Sequence, residues 1–390
     1  MRIVLTGATG LIGRNLLFEI LKQNYSNLEE LSVVVLGRGK NGKTICQRIR
    51  QLILEEGVLY LNVKAEHISA IEDFIKTNIE CVAADLTQEK LGITDEDYSK
   101  LKKEPIDFFF HVAALTDLGN AHNVEQSLKR TNVYGTRRIL ELIAGLKVKE
   151  FCYVGTAYSC GDKCRNPYES SKLEAEQSVR EFSRKHKVRC RYFKPSVTCG
   201  RLIEPPLGSI NKFDVFYGWV AFFLKLKSKK IIKRQGKKKL LYEDPMKIDM
   251  KICYNLKSGL NIVPADFVAK VMYQVCIQNA PGEEYFLVNN EETPHKVYIP
   301  LMLKVLNLCG SIQVDKVPNE LNPLEKIYYK TVGKIFTPYV ISEQISFDTC
   351  NLYDVLKRAK LSCPPVNEKN FSLLMEYAKK VNFGFNPEEL

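Results

Sequence analysis

Residues 2–13, RIVLTGATGLIG, decide how this 390-residue chain is read. Arg2 to Thr6 is a short apolar run of the kind that forms a buried strand, and Leu11 to Lys22 then repeats apolar residues at helical spacing. Between them Gly7, Gly10 and Gly13 stand three apart. Glycines at a strand-to-helix turn let the backbone approach a pyrophosphate, which then sits at the positive end of the helix. Gly7, Thr9, Gly10, Leu11, Ile12 and Gly13 are therefore candidate cofactor-binding residues. The GxxGxxG spacing departs from the GxGxxG of many dehydrogenases.

Working outward, β-branched and apolar runs recur at 31–38, 79–84, 106–112, 150–155 and 188–193, and helical patterns fill the gaps, as at 131–146 and 170–186. Strands alternating with helices of this length predict an α/β fold with a Rossmann-type, doubly wound parallel sheet. After about Gly200 the alternation fails. Residues 201–260 read as irregular, aromatic and then basic, 261–290 as one more helix and strand returning to the sheet, and 293–390 as mainly helical. Two domains are expected: 1–200 plus 261–290 for the dinucleotide, and 201–260 plus 291–390, smaller and mainly helical, for substrate.

Composition narrows the class. No stretch free of charge approaches the roughly 20 residues that span a bilayer. The early glycines also argue against a secretory signal, so a cytoplasmic protein is expected. Twelve cysteines form no CxxC pair and no zinc-type spacing, and read as free thiols with no metal site. Nine of the +12 net charges fall between Lys225 and Lys239, a segment without an acid. Such a segment points to a local anionic partner. Three readings of it stay open: a phosphorylated carrier arm or acidic carrier helix, a solvated loop, or, with VFYGWVAFFL before it, a peripheral membrane contact through 215–239. Nucleic acid is not expected, because no binding module accompanies the patch.

At the end of the second strand an acid would bind a free ribose 2′-hydroxyl, whereas an arginine accommodates a 2′-phosphate. This chain has Gly37-Arg38 there, with Lys40 and Lys43 following and no acid, which favours NADPH. Asp85-Leu86 after the third strand places a carboxylate to meet the adenine, and Ala113 and Ala114 after the fourth leave room for the cofactor. His111 reads as a packing residue at a strand end. Tyr168 and Lys172, in NPYESSKLEAE, stand four apart on one helix face, and Thr156 precedes them in VGTAYS. An ammonium that stabilises a phenolate makes such a tyrosine a proton donor to a carbonyl oxygen, with Thr156 holding the same oxygen. Cys160 and Cys164, nearby in sequence, are read as packing residues.

With these residues in place, the chain resembles the extended short-chain dehydrogenases/reductases, and within them the branch of thioester reductase domains and male-sterility-type fatty acyl-CoA reductases. The resemblance rests on TGATGLIG, AADLTQEKLGITDEDYSKL, TNVYGTRRILELI, YVGTAYS, NPYESSKLEAE and KPSVTCG, in that order; it is dense over residues 1–200 and thin beyond. It implies catalytic roles for Thr156, Tyr168 and Lys172, an ordering role for Asn132, and a nicotinamide-lining role for Pro195 to Val197. Gly155 stands where the branch usually has serine, Lys194 where it has arginine, and the 12 positions from Thr156 to Tyr168 replace a longer loop bordering the substrate. The implied activity is NADPH-dependent reduction of an acyl thioester, on coenzyme A or an acyl carrier protein, to aldehyde or alcohol. The rivals are an extended reductase or epimerase acting on a small carbonyl, a sterol-like alcohol or a nucleotide sugar, and a non-catalytic NADPH-binding protein.

Overall fold

A computed structural model describes residues 1–159, 164–235 (side chains to residue 230) and 241–386. Cys160, a packing candidate, and most of the basic run from Lys233 to Lys239 lie outside the described side chains. The chain divides into two compact units: Met1–Ser196 with Ala265–Val288 and Phe347–Ser362, and Val197–Pro264 with Asn289–Ser346 and Cys363–Leu390.

The first unit is built on seven parallel strands: β1 (Arg2–Thr6), β2 (Ser32–Gly37), β3 (Ile79–Ala83), β4 (Ile106–His111), β5 (Val148–Val154), β6 (Arg189–Pro195) and β7 (Glu284–Leu287). Their order is β7-β6-β5-β4-β1-β2-β3. The central strands are buried on both faces, which is why RIVLT and SVVVL read as continuous apolar runs and not as alternation. The order reverses at β1: Leu5 pairs with Val35 on one side and with Phe110 on the other. The crevice beyond the carboxyl ends of β1 and β4 is therefore the topological switch point, where ligands of open α/β sheets bind.

Helices α1 (Leu11–Gln23), α2 (Ile45–Leu52), α3 (Gly135–Ala144), α4 (Pro167–His186), α5 (Val215–Gln235) and α6 (Ala265–Ile277) carry the rest of the argument. The start of α4 is set locally. Asn166 accepts the Glu169 N–H at 3.0 Å, Pro167 occupies the first turn, and Arg165 pairs with Glu169 at 2.8 Å. Those contacts place Tyr168 in the first turn of α4.

The second unit differs from its sequence reading. The strand Met246–Cys253, in the stretch read as irregular, pairs in parallel with Leu308–Val314, in the stretch read as mainly helical. The MKIDMKIC alternation, with Ile248, Met250 and Ile252 buried, had been masked by the lysines on its other face. Residues 347–362 belong to the first unit, where Phe347 packs on Phe286 of β7 with ring centroids 5.7 Å apart. For the expected membrane contact through 215–239, α5 corrects the aromatic part, while residues 231–239 lie outside the described side chains. Phe216, Trp219, Val220, Phe223 and Leu224 are at most 1% exposed. Trp219 donates to the Tyr328 hydroxyl at 3.0 Å and packs on Phe336 at 5.8 Å. An aromatic face committed to the core cannot lie on a bilayer. Lys227 is buried as well, its ammonium donating to the Asp244 and Leu306 carbonyls at 2.5 and 2.6 Å. Among the described side chains of the basic run, Lys225, Lys229 and Lys230 remain exposed. No described helix is long and apolar enough to cross a membrane.

Candidate active site

The glycine turn is built as a cradle. Gly7 has φ +75°, and a Cβ there would lie 2.7 Å from the Ala113 nitrogen; one on Gly13 would lie 2.1 Å from the Gly7 carbonyl oxygen. Only glycine allows the β1–α1 turn to press against both the loop after β4 and its own helix. Helix α1 begins with Gly10 at its N-cap, no side-chain cap and no acid in its first turn. Its N–H groups and positive dipole end are thereby left for an anion. The turn thus fits a dinucleotide pyrophosphate, with Ala113 against Gly7 and Ala114 one residue beyond.

Beside the cradle, Arg38 at the end of β2 is exposed and lies 3.7 Å from the Asp85 carboxylate. Burial raises the Asp85 pKa, but the Thr87 N–H and hydroxyl, each 2.8 Å from Oδ1, and then Arg38 and Arg130 outweigh it and hold the carboxyl below its ordinary value. Leu86 packs at the same strand end, its carbonyl accepting from Arg138 at 2.9 Å and its Cβ lying where a side chain at Gly135 would fall. Sequence reasoning missed Arg48. From α2 its guanidinium donates to the Arg38 carbonyl at 2.5 Å and to the Thr9 hydroxyl at 3.1 Å, placing a cation between the glycine turn and the end of β2. The signal available was an arginine one turn into the helix that follows Arg38.

At the end of β5, Thr156 is buried, and its hydroxyl oxygen lies 3.4 Å from the Tyr158 N–H. Tyr168 is half-buried. Lys172 is buried; its ammonium donates to the Val154 carbonyl at 2.6 Å and sits 4.6 Å from the centre of the Tyr153 ring. Burial draws the Lys172 pKa down to about 7, with Glu176 pulling the other way. Asn132 lies in a π-helical turn, Lys129–Tyr134, just before α3. Its side chain accepts from the Leu115 N–H at 2.8 Å and donates to the Leu115 carbonyl and the Ser171 hydroxyl, both at 2.9 Å. Ser171 donates in turn to the Tyr168 carbonyl at 2.8 Å. Asn132 therefore ties the loop after β4 to the turn of α4 that carries Tyr168.

His111 is part of the same frame. The Thr6 hydroxyl oxygen accepts the Val112 and Ala113 N–H groups at 3.1 Å, which leaves its proton for His111 Nδ1 at 2.9 Å. His111 Nε2–H then donates to Thr136, and Thr136 to the Asn132 carbonyl at 2.6 Å. Burial, reinforced by Lys172, draws the His111 pKa down to about 3, so the ring is a neutral link and not a base. Pro195 closes β6 in the first unit, while Val197 begins a short strand of the second, paired with Ile262. Elsewhere in the first unit Glu150, Cys152 and Cys276 cluster within 4.8 Å, but Arg191 and Arg189 hold Glu150, and their positive charge opposes a metal ion.

The male sterility protein family model matches residues 5–165 and 161–272. The chain belongs to the male sterility protein family. Fatty acyl-CoA reductase 1 of Pongo abelii is 33% identical over 158 residues, covering 40% of this chain and 28% of that protein. Probable fatty acyl-CoA reductase 5 of Arabidopsis thaliana is 27% identical over 165 residues, covering 41% of this chain and 32% of that protein. The matches thus span less than a third of those relatives' own length. Among solved structures, the terminal R domain of the myxalamid biosynthetic pathway superposes with a TM-score of 0.66 at 22% identity, covering 99% of this chain and 91% of that one. The reductase domain of a nonribosomal peptide synthetase from Mycobacterium tuberculosis also gives 0.66, at 16% identity, covering 98% and 92%. A dTDP-glucose 4,6-dehydratase from Streptomyces venezuelae gives 0.61 at 14%, covering 99% of each chain. The chain therefore shares the doubly wound α/β fold of these reductase domains and of the dehydratase.

Proposed function

We propose that the chain is a cytoplasmic, NADPH-dependent oxidoreductase that reduces an acyl thioester, carried on coenzyme A or an acyl carrier protein, to an aldehyde or onward to an alcohol. One observation carries the reading: Lys172 is buried against β5 on the helix face it shares with Tyr168, with the end of β4 between β5 and a glycine cradle shaped for a pyrophosphate. The similarity to fatty acyl-CoA reductases supports the thioester over a sugar nucleotide.

The cradle of Gly7, Thr9, Gly10, Leu11, Ile12 and Gly13 would hold the pyrophosphate, Arg38 and Arg48 the 2′-phosphate, and Asp85 with Leu86 the adenine. Ala113, Ala114 and Pro195 would line the rest of the cofactor. When bound, the reduced nicotinamide supplies hydride to the substrate carbonyl carbon. Thr156 and Tyr168 donate hydrogen bonds to the carbonyl oxygen, and Tyr168 gives it a proton as charge develops. The Lys172 ammonium stabilises the phenolate left behind, which brings a group with an ordinary pKa near about 10 within reach at neutral pH. Asn132 keeps the first turn of α4 fixed against the loop after β4. The hemithioacetal then loses its thiol, so no cysteine nucleophile is needed.

The test is a screen of NADPH oxidation by the intact chain across acyl-CoAs, aldehydes and nucleotide sugars, with free thiol read in parallel. Thiol release matched to NADPH loss on an acyl-CoA is expected. Turnover of a nucleotide sugar with none on thioesters would replace this reading with the epimerase-like one.

A further inference from the structure

Helix α4 carries a third ionisable residue on the face of Tyr168 and Lys172. Glu176 is one turn beyond Lys172 and 3% exposed. Its Oε1 accepts from Arg180 at 2.7 Å and from Lys194 of β6 at 3.1 Å. Its Oε2 is buried with no hydrogen-bond partner among the described residues. A buried carboxylate oxygen left without a donor is costly, and such an orphan calls for a reason. The direction in which it points supplies one. A Cβ on Gly155 would lie 3.5 Å from Oε2 and 3.5 Å from Cε1 of Tyr153, the ring whose face carries the Lys172 ammonium. Gly155 leaves that oxygen bare on the side of the tyrosine ring, where a serine would have supplied a hydroxyl donor.

We propose that Glu176 is a positioning residue: through the Tyr153–Gly155 end of β5, its carboxylate, with Oε2 bare, keeps the buried Lys172 ammonium charged. The inference rests on the reading of Lys172 given above and adds the group that sets its charge. Lys172 faces Tyr168 and Glu176 on its own helix, Tyr153 and the Val154 carbonyl on β5, and neutral His111 on β4. Glu176 faces Arg180 on its own helix, Lys194 on β6 and Tyr153 on β5, while Glu284 of β7 shares both cations with it. Among the described residues Glu176 is thus the one carboxylate that acts on Lys172, and Tyr153 lies beside both. Burial without it would favour a neutral amine, which stabilises no phenolate.

The sign follows. Activity that needs the ammonium is lost as pH rises through the Lys172 pKa, and removing a nearby anion lowers that pKa. Glu176→Gln should therefore move the alkaline limb of the kcat profile to lower pH by about one unit, an about tenfold loss on the limb. Glu176→Asp, which keeps the charge, should leave the limb near its original place. The direct readout is the titration of the Lys172 ε-carbon resonance in chain labelled at lysine and assigned by its absence in Lys172→Met. It needs no substrate, so it tests the inference even if thioesters prove not to be turned over. The resonance should titrate lower in Glu176→Gln. If that variant does not fold, Lys194→Met serves instead; by removing a cation that shares Glu176 it should raise the titration. A Lys172 resonance unmoved in the folded variant, with activity and thermal stability reduced equally at every pH, would make Glu176 a structural strut and overturn the inference.

Discussion

Two buried lysines, one in each unit, show what separates a chemical site from a structural staple. Both are drawn below the ordinary lysine pKa, and for both burial is the largest cause. Lys227 is held by two backbone carbonyls, of Asp244 and Leu306, from separate segments of the second unit. It fastens α5 to the chain around it. Lys172 has one carbonyl, from Val154, and otherwise faces a tyrosine ring, with Tyr168 one turn before it on the same helix. Burial of a lysine is therefore no sign of function by itself. What counts is whether its remaining donors are spent on the backbone or face a group that changes charge.

Substitutions sharpen this contrast. Tyr168→Phe and Lys172→Met should each lower kcat by about 10²- to 10⁴-fold, the range for loss of a positioned proton donor or its partner. Lys172→Met should also flatten a stability trend. Because the folded pKa of Lys172 is about 7 and lies below its unfolded value, the unfolded chain binds more protons above pH 7. That group alone makes the native chain gain stability as pH rises from about 7 towards about 10.4, and denaturant titrations of the variant should show the gain removed. Arg48→Ala should weaken NADPH binding by about 10- to 100-fold, the worth of a charge-assisted bond, and leave NADH nearly untouched. Arg38→Asp should act in the same sense; equal losses for both nucleotides, measured by calorimetry, would break the 2′-phosphate assignment.

Lys227→Met should do the reverse of Lys172→Met: kcat retained, and stability lowered by about 1–3 kcal/mol as two buried carbonyls lose their donor. A Lys227 variant that kept its denaturation midpoint but lost turnover would erase the distinction between the two lysines. The smallest effect is expected from Gly155→Ser. Its Cβ meets only ordinary contacts, and its hydroxyl reaches the bare Glu176 oxygen, so a gain of about 0.5–1.5 kcal/mol is expected in the same denaturation assay.

The first unit was legible because its strands are buried on both faces and its ligand turn is local: RIVLTGATGLIG names strand, cradle and helix within twelve consecutive residues. Tyr168 and Lys172 were legible for the same reason, being four apart on one helix. Contacts between distant segments were harder to read. Arg48 reaches Thr9 only because α2 folds back beside the glycine turn, and Glu176 meets Gly155 only across a helix–sheet interface. In the second unit the strand Met246–Cys253 alternates lysine and aspartate with its buried residues, so charge hid its period. The aromatic half of α5 read as a membrane face because apolar composition does not say what covers it; Tyr328 and Phe336, about 110 residues away, do.

The proposed step is proton transfer from Tyr168, whose resulting phenolate the Lys172 ammonium stabilises, to a thioester carbonyl as hydride arrives. It is tested most directly by a single-turnover reaction of the intact chain with NADPH and a long-chain acyl-CoA, following nucleotide oxidation and free thiol together. Both signals should rise in step in the native chain, and both should collapse in Tyr168→Phe. Thiol released without nucleotide oxidation, or a Tyr168→Phe chain that turns over at the native rate, would contradict it.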